Sequence, residues 1–213
     1  MKRGKKWSVV FDLDGVLLDS GKDTSWINRA IRKTLEFFSI PVDTHSMELL
    51  HPRNLHSFME NSRILGVSAD ELWRVRNRFY VEEKINAMKK RKIQPFEDVD
   101  ALYRLKEFYE LNIISNSPQS VVDFFVSEFN YESLFSHYIG RGEGFDSLKQ
   151  LKPNPFLFQK LLQYTSRNSF YYVGDSSLDE EFAENTGMVF LLLDRRGNKV
   201  YSSLYDIVEF LLG

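Results

Sequence analysis

The chain contains no cysteine. Disulfides, zinc–thiolate sites and thiol nucleophiles are therefore excluded. No stretch approaches the ~20 apolar residues needed to cross a bilayer. The basic segment Met1 to Lys6 leads into an apolar run that stops at Asp12, too short and too soon acidic for a secretion signal. The expectation is a cytoplasmic protein with no membrane partner. An excess of one charge is missing too. The 28 Lys and Arg against 30 Asp and Glu leave a net charge of −2, which argues against nucleic acid as a partner. No internal repeat or low-complexity segment interrupts the 213 residues. That length can bury a real core as one large domain or two small ones. A monomer is the default, with a dimer as the alternative.

What the chain does have is concentrated in Ser8-Val9-Val10-Phe11-Asp12-Leu13-Asp14-Gly15-Val16-Leu17-Leu18-Asp19-Ser20. A short apolar run rich in β-branched residues ends in two carboxylates one residue apart. This pattern predicts a buried parallel strand that delivers acids to the edge of a sheet. Alternate positions of an extended strand share a face, so Asp12 and Asp14 can address one centre. Two close anions repel unless a cation or a shared proton relieves them. Gly15 lets the backbone turn tightly beside them. Taken alone, the motif equally describes a strand end with surface acids, so its weight depends on the rest of the chain.

Helical periodicity follows. Ile27, Ala30, Ile31, Leu35 and Phe38 form one apolar stripe, with Asp23 or Thr24 as its N-cap and Pro41 beyond its end. Leu55, Phe58, Met59 and Leu65 form a second stripe ending at Gly66. Ser68-Ala69-Asp70-Glu71 is a capping-box pattern before Leu72, Val75 and Phe79. From Gln94 onward, helices alternate with short apolar runs near Leu111–Ser115, His137–Gly140, Ser169–Gly174 and Met188–Leu193. Alternation of this kind predicts an α/β fold, a doubly wound, Rossmann-like parallel sheet covered on both faces. The helical block is inserted after the first strand, at the carboxyl edge where open α/β sheets bind ligands. The expected division is a core of residues 1–20 and 93–213 with an α-helical cap domain of residues 21–92.

Three later segments lead to the same edge. Ile113-Ile114-Ser115-Asn116-Ser117-Pro118 reads as a strand end entering a helix, an anion cradle of side chains and free backbone N–H groups. Ser115 and Asn116 are the candidate ligand contacts there. Ser117, directly before Pro118, is expected to serve only as a helix N-cap. In Leu151-Lys152-Pro153-Asn154-Pro155, two prolines and Asn154 fix the direction of Lys152, which can neutralise the acids and donate to a phosphate oxygen. In Tyr171-Tyr172-Val173-Gly174-Asp175-Ser176-Ser177-Leu178-Asp179, a second strand ends in an acid, with another a turn later. Hard divalent ions prefer such oxygens. Each segment alone has a purely structural explanation as a cap or a solvated side chain. All four in this order on alternating strands do not.

The segments FDLDGVLLDS, IISNSP, LKPNP and VGDSSLDEEFAENTG together resemble the haloacid dehalogenase superfamily of phosphohydrolases. The resemblance runs from Ser8 to about Leu212 and places the helical block where that family carries its α-helical cap. It implies the following roles. Asp12 attacks phosphorus and becomes an aspartyl phosphate. Asp14 protonates the leaving oxygen and then deprotonates the hydrolytic water. Ser115 binds phosphate oxygens, assisted by Asn116, and Lys152 steadies Asp12 and the phosphate. Mg²⁺ is held by Asp12, the main-chain carbonyl of Asp14 and Asp175, with Asp179 in support. A phosphoglycolate-like small phosphorylated metabolite is the expected substrate.

Competing chemistries separate on particular residues. Dehalogenation is disfavoured because the resembling enzymes have no acid at the position of Asp14. Phosphonate cleavage uses a cap lysine as a Schiff base. Lys22, Lys33 and Lys84 are available, but none falls in an apolar stripe that would depress its pKa. A phosphomutase of the β-phosphoglucomutase type shares every core residue and stays as the alternative. A non-catalytic module should have lost an acid at position 12, 14 or 175, and none is lost. A receiver domain phosphorylated on one Asp needs no helical insertion. Arg53 and Arg141 are further candidates for a substrate anion. The run Lys89-Lys90-Arg91-Lys92 reads as a solvated helix end.

Overall fold

Strand β1 (Trp7–Phe11) is buried on both faces, and its side chains show why the segment is a strand. Val9 and Phe11 point into one apolar cluster, and Val10 points into another on the opposite face. The computed structural model describes residues 7–51, 55–197 and 200–213. Five parallel strands form one sheet in the order β3-β2-β1-β4-β5, where β2 is Glu110–Pro118, β3 His137–Arg141, β4 Ser169–Gly174 and β5 Val189–Leu192. Phe11 is in register with Ile113 of β2 and Val173 of β4. The chain therefore winds outward through β2 and β3, then returns to the other side of β1. The carboxyl end of β1 lies at this switch point, where the diverging connections leave a crevice.

The helices flanking the sheet are α5 (Leu102–Lys106) before β2, α6 (Gln119–Glu128), α7 (Phe156–Leu161) and α8 (Ser177–Thr186) between later strands, and α9 (Leu204–Leu212) after β5. Val121, Val122, Phe125, Ile207 and Val208 pack on the β1 face carrying Phe11. Leu157, Leu161 and Phe182 pack on the face carrying Val10. Sidedness follows from the period-2 alternation of the strands set against the 3.6-residue stripes of the helices. None of the described helices is long and apolar enough to cross a membrane.

Between β1 and β2 lie α1 (Ser25–Phe37), α2 (Thr44–Leu49), α3 (Leu55–Ile64) and α4 (Ala69–Lys89). They enclose an apolar cluster of their own built on Ile31, Leu35, Leu50, Phe58, Leu72 and Trp73, joined by Leu148 from the loop after β3. The three helices expected here are present, and α2 is a further one. It is short, and the Asp43 side chain starts it by accepting from the Ser46 N–H at 2.8 Å. At α4, half of the expected capping box forms, with Ser68 Oγ accepting from the Glu71 N–H at 3.3 Å. The other correction is at β2. The strand continues to Pro118, which itself occupies the N-cap position of α6, so Ser117 is strand and not cap.

Candidate active site

Asp12 leaves the sheet directly after β1. Its N–H still donates to the Val173 carbonyl at 2.9 Å, which fixes it between β2 and β4. Its carboxyl is buried. Lys152 Nζ lies 2.9 Å from Asp12 Oδ1 as an ion pair, but off the direction of a hydrogen bond, so that buried oxygen has no hydrogen-bond partner. Burial pushes the Asp12 carboxyl up to about 7, against the pull of Lys152 and with help from Asp179 and Asp14.

Lys152 is held by more than Asp12. Its Nζ also donates to Asp179 Oδ1 at 2.6 Å and to the Tyr172 hydroxyl at 2.8 Å. Burial alone would lower this lysine, but Asp12 and Asp179 outweigh burial and raise it. Asn116 Oδ1 accepts from the Lys152 backbone N–H at 2.8 Å, tying the end of β2 to the lysine loop. Asp179 is saturated, because its Oδ2 accepts from Ser176 Oγ at 2.6 Å and from the Asp175 N–H at 3.3 Å. It thus anchors the lysine and the turn after β4.

Asp12, Asp175 and Asp179 each offer a carboxylate oxygen, all within 4.8 Å of one another. Asp175 is exposed as a residue, but the protein around its carboxyl desolvates it in part, and that, together with Asp179, raises it to about 6. Three carboxylates facing one lysine leave an excess of two negative charges, and Asp12 Oδ1 lacks a donor. An all-oxygen donor set with that charge fits a hard divalent cation. Gly15 closes the other side at φ +81°, where a Cβ would stand 2.0 Å from Asp175 Oδ2. Any side chain there would be strained by the backbone and would displace Asp175.

Asp14 points elsewhere. Its carboxylate is not one of the three, so any part it takes in a cation site is limited to its main-chain carbonyl. Lys84 of α4 donates to Asp14 Oδ1 at 2.6 Å and Oδ2 at 2.7 Å. Ser117 Oγ donates to Asp14 Oδ2 at 2.8 Å and accepts from Lys84 at 2.9 Å. Burial would raise Asp14, but Lys84 and Ser117 overcome it and hold the carboxyl below the usual range. Lys84 is fully buried between Trp26 and Tyr80, 5.3 and 5.5 Å from their ring centres. Burial pulls it down and Asp14 more than restores it, so its net shift is upward.

The crevice thus brings together Asp12, Asp14, Ser115, Asn116, Lys152, Asp175 and Asp179. Ser115 is buried and its Oγ accepts from the Ser117 N–H at 3.0 Å, which shapes the bend at the end of β2. Two participants escaped the sequence reading. Ser117 touches Asp14 where only a cap was expected. Lys84 lies outside the Leu72–Val75–Phe79 stripe but shares a second, largely buried stripe with Trp73, Asn77 and Tyr80, a spacing visible in the sequence. A lysine there ordinarily signals a solvated face, and its acid is 70 residues away. Its raised pKa also disfavours an amine nucleophile, a different ground for setting phosphonate cleavage aside. Arg53 lies outside the described residues.

The family model of haloacid dehalogenase-like hydrolases matches residues 9–193. The chain belongs to this family. The phosphoglycolate phosphatase of Cereibacter sphaeroides strain KD131 is 26% identical to it over 188 residues, 86% of this chain and 83% of that protein. The solved structure of a predicted phosphatase from Clostridium acetobutylicum has a TM-score of 0.69 at 19% identity, covering 98% of both chains. The haloacid dehalogenase-type hydrolase YfnB of Bacillus subtilis, solved bound to magnesium, has a TM-score of 0.63 at 14% identity and covers 98% of this chain and 100% of its own. The likeness to these two structures is one of fold. The chain is a phosphatase-like hydrolase of this family.

Proposed function

We propose that this protein hydrolyses a small phosphorylated metabolite through an aspartyl phosphate on Asp12, with a divalent cation, Mg²⁺ by the family's resemblance, in the carboxylate cluster. The observation that carries the reading is the split of two acids one residue apart. Asp12 is turned into a lysine-and-carboxylate pocket, and Asp14 is turned out of it toward Lys84 and Ser117. This split supports a reading in which one acid attacks and the other moves protons.

Asp12 and Asp175, with the Asp14 main-chain carbonyl, would hold the cation, and Asp179 would orient the shell. When bound, the ion supplies positive charge to the transferring phosphoryl oxygens and relieves the repulsion among the acids. Lys152 adds a second positive charge beside Asp12, with Ser115 and Asn116 at the adjoining end of β2, where Asn116 holds the lysine loop. In the first half-reaction the Asp12 carboxylate forms its bond to phosphorus as the ester P–O bond breaks, and Asp14, carrying a proton taken up from solvent or from the hydrolytic water of the preceding turnover, gives it to the leaving oxygen. In the second, Asp14 takes a proton from the water that attacks phosphorus, and Asp12 is released as a carboxylate. Helices α1 to α4 serve as a cap over the described part of residues 1–20 and 93–213. The Lys84–Asp14 contact brings the cap down onto the proton-transfer group, where closure excludes stray water.

The ion pair with Lys84 favours ionised Asp14, the form the second half-reaction needs. Lys84→Met should therefore slow hydrolysis of the phosphoenzyme more than its formation. Rapid mixing with p-nitrophenyl phosphate should give a burst of p-nitrophenol and an acid-trapped phosphoprotein. Equal slowing of both halves, with no burst, would count against this division of labour.

Titration tests the cation site. Asp12 and Asp175 titrate in the cation-free fold near 7 and near 6, above the ordinary 3.8. Groups raised on folding contribute stability that is complete below about pH 4 and is lost as pH rises toward 7. A cation offsets that loss. Millimolar Mg²⁺ should raise the melting temperature over a chelator control clearly at pH 8 and little at pH 5. The same increment at both pH values would remove this site. The direct test of the activity is a screen of phosphorylated metabolites for Mg²⁺-dependent phosphate release. A hexose 1-phosphate with trace bisphosphate belongs in it, because isomerised sugar without free phosphate would favour the mutase.

A further inference from the structure

Along α4, Trp73, Arg76, Asn77, Tyr80 and Lys84 recur at three- and four-residue spacing and form one stripe. At its far end Lys84 meets Asp14. At its near end Arg76 forms no ion pair with an acid among the described residues. Arg76 is 8% exposed and Arg141, from the end of β3, is 4% exposed. Arg76 Nε donates to the Leu50 carbonyl at 2.7 Å. Arg141 Nη1 donates to the Gly142 carbonyl at 2.8 Å, and Nη2 to Asn77 Oδ1 at 2.5 Å. All three acceptors are neutral. Among the described residues, neither guanidinium forms an ion pair with a carboxylate. Glu143, two residues from Arg141, is turned to Asn77 and Ser120 instead.

Both guanidiniums also lie against one indole, at 5.5 Å for Arg76 and 4.8 Å for Arg141 from the Trp73 ring centre. Two like charges beside one ring, out of water, repel each other and lose hydration, which is unfavourable unless an anion joins them. Burial, with Arg76 adding to it at Arg141, lowers both only to about 10, Tyr80 acting against it at both and the nearby Glu143 charge at Arg141, so both stay charged at neutral pH. Their position says which anion. Arg141 is in register with Pro118 at the end of β2, and the preceding Ser117 donates to Asp14. Tyr80 links the two ends of the stripe, with the Arg76 guanidinium 5.7 Å from its ring and Lys84 Nζ 3.4 Å from its hydroxyl. The arginine pair thus adjoins the proton-transfer side of the crevice, where the leaving group of a phosphoester would lie, and not the Asp12–Lys152 side that takes the phosphoryl group.

We propose that Arg76 and Arg141 form a second anion subsite for an oxyanion carried by the leaving group, so that the substrate is a phosphomonoester with a carboxylate or a second phosphate close to the ester oxygen. This rests on the phosphatase reading and narrows it. The test compares kcat/KM of the wild-type protein for 2-phosphoglycolate, ethane-1,2-diol bisphosphate and the uncharged analogue 2-hydroxyethyl phosphate. At least one anionic ester should be preferred by about 10- to 100-fold, and which one identifies the oxyanion. Arg76→Met and Arg141→Met should each remove most of that preference, mainly through KM, and change the rate on 2-hydroxyethyl phosphate by less than about threefold. Arg141→Lys should recover part of it.

A wild-type protein with no preference would overturn the subsite. So would Met variants that lose both ester types in parallel, since that pattern marks a structural role. Should a Met variant fail to fold by circular dichroism, the wild-type ratio and the Lys variant decide. The phosphatase reading is checked separately with p-nitrophenyl phosphate. If no ester is turned over, that reading fails and binding decides alone. Calorimetric binding of the two anionic esters that weakens in both Arg variants would support the subsite, and undiminished binding would overturn it.

Discussion

Asp12→Asn is expected to lower Mg²⁺-dependent phosphate release by at least about 10⁴-fold, the scale seen when a nucleophile is removed from an otherwise intact site. The substitution changes volume little, and Asp12 makes no directed hydrogen bond through Oδ1 that folding depends on. The variant should keep its melting temperature within a few degrees, or gain stability in the absence of a cation, because an uncharged amide ends the cost of burying a carboxylate and its repulsion with Asp179 and Asp14, which together outweigh the pull of Lys152. Quenched reactions with a labelled phosphoester should show no acid-trapped phosphoprotein. Retained turnover with a labelled protein would move the nucleophile to another residue and take the mechanism with it.

Lys152→Met should damage both folding and catalysis. It removes the one cation shared by two buried carboxylates, Asp12 at 2.9 Å and Asp179 at 2.6 Å. Breaking a buried pair from one side costs about 3–5 kcal/mol, because the partners stay buried without compensation. The sign of the pH dependence follows. In the native protein Lys152 holds Asp179 below its ordinary value despite burial, which contributes stability above about pH 4 that is lost as pH falls. Without Lys152, Asp179 rises above its unfolded value and Asp12, already raised, rises further, so stability is lost as pH rises. The deficit against wild type, measured by urea unfolding in chelator, should therefore be small near pH 4 and largest near pH 8, and Mg²⁺ should recover part of it. A deficit independent of pH would mean that Lys152 acts through packing alone.

The acids were legible in the sequence because each follows an apolar run directly in the chain. Val9, Val10 and Phe11 carry Asp12 to the sheet edge, and Tyr172 and Val173 carry Asp175 there. Strand β4 was bounded at Ser169 and Gly174 for the same reason, since a run of strand formers between a polar turn and Gly-Asp leaves little freedom. Helix α2 was not legible. Its six residues, Thr44–Leu49, are too few to show a 3.6-residue period. Ser-Pro is a common helix entry, so the sequence at Ser117 points to a cap. The strand instead bends after Ser115, and the register shift before Pro118 turns the Ser117 hydroxyl inward.

Local order in the chain determined the parallel sheet, the helical insertion after its first strand, and the acids and lysine at its edge, because those features depend on neighbours one to four residues apart. Only the tertiary structure decided which charges meet. Lys84 finds Asp14, Asp179 is spent on Lys152, and Arg76 and Arg141 share one indole with no carboxylate ion pair among the described residues. Those pairings join residues 27 to 70 positions apart, and a side chain's charge says nothing about its partner until packing removes the water that would otherwise solvate it.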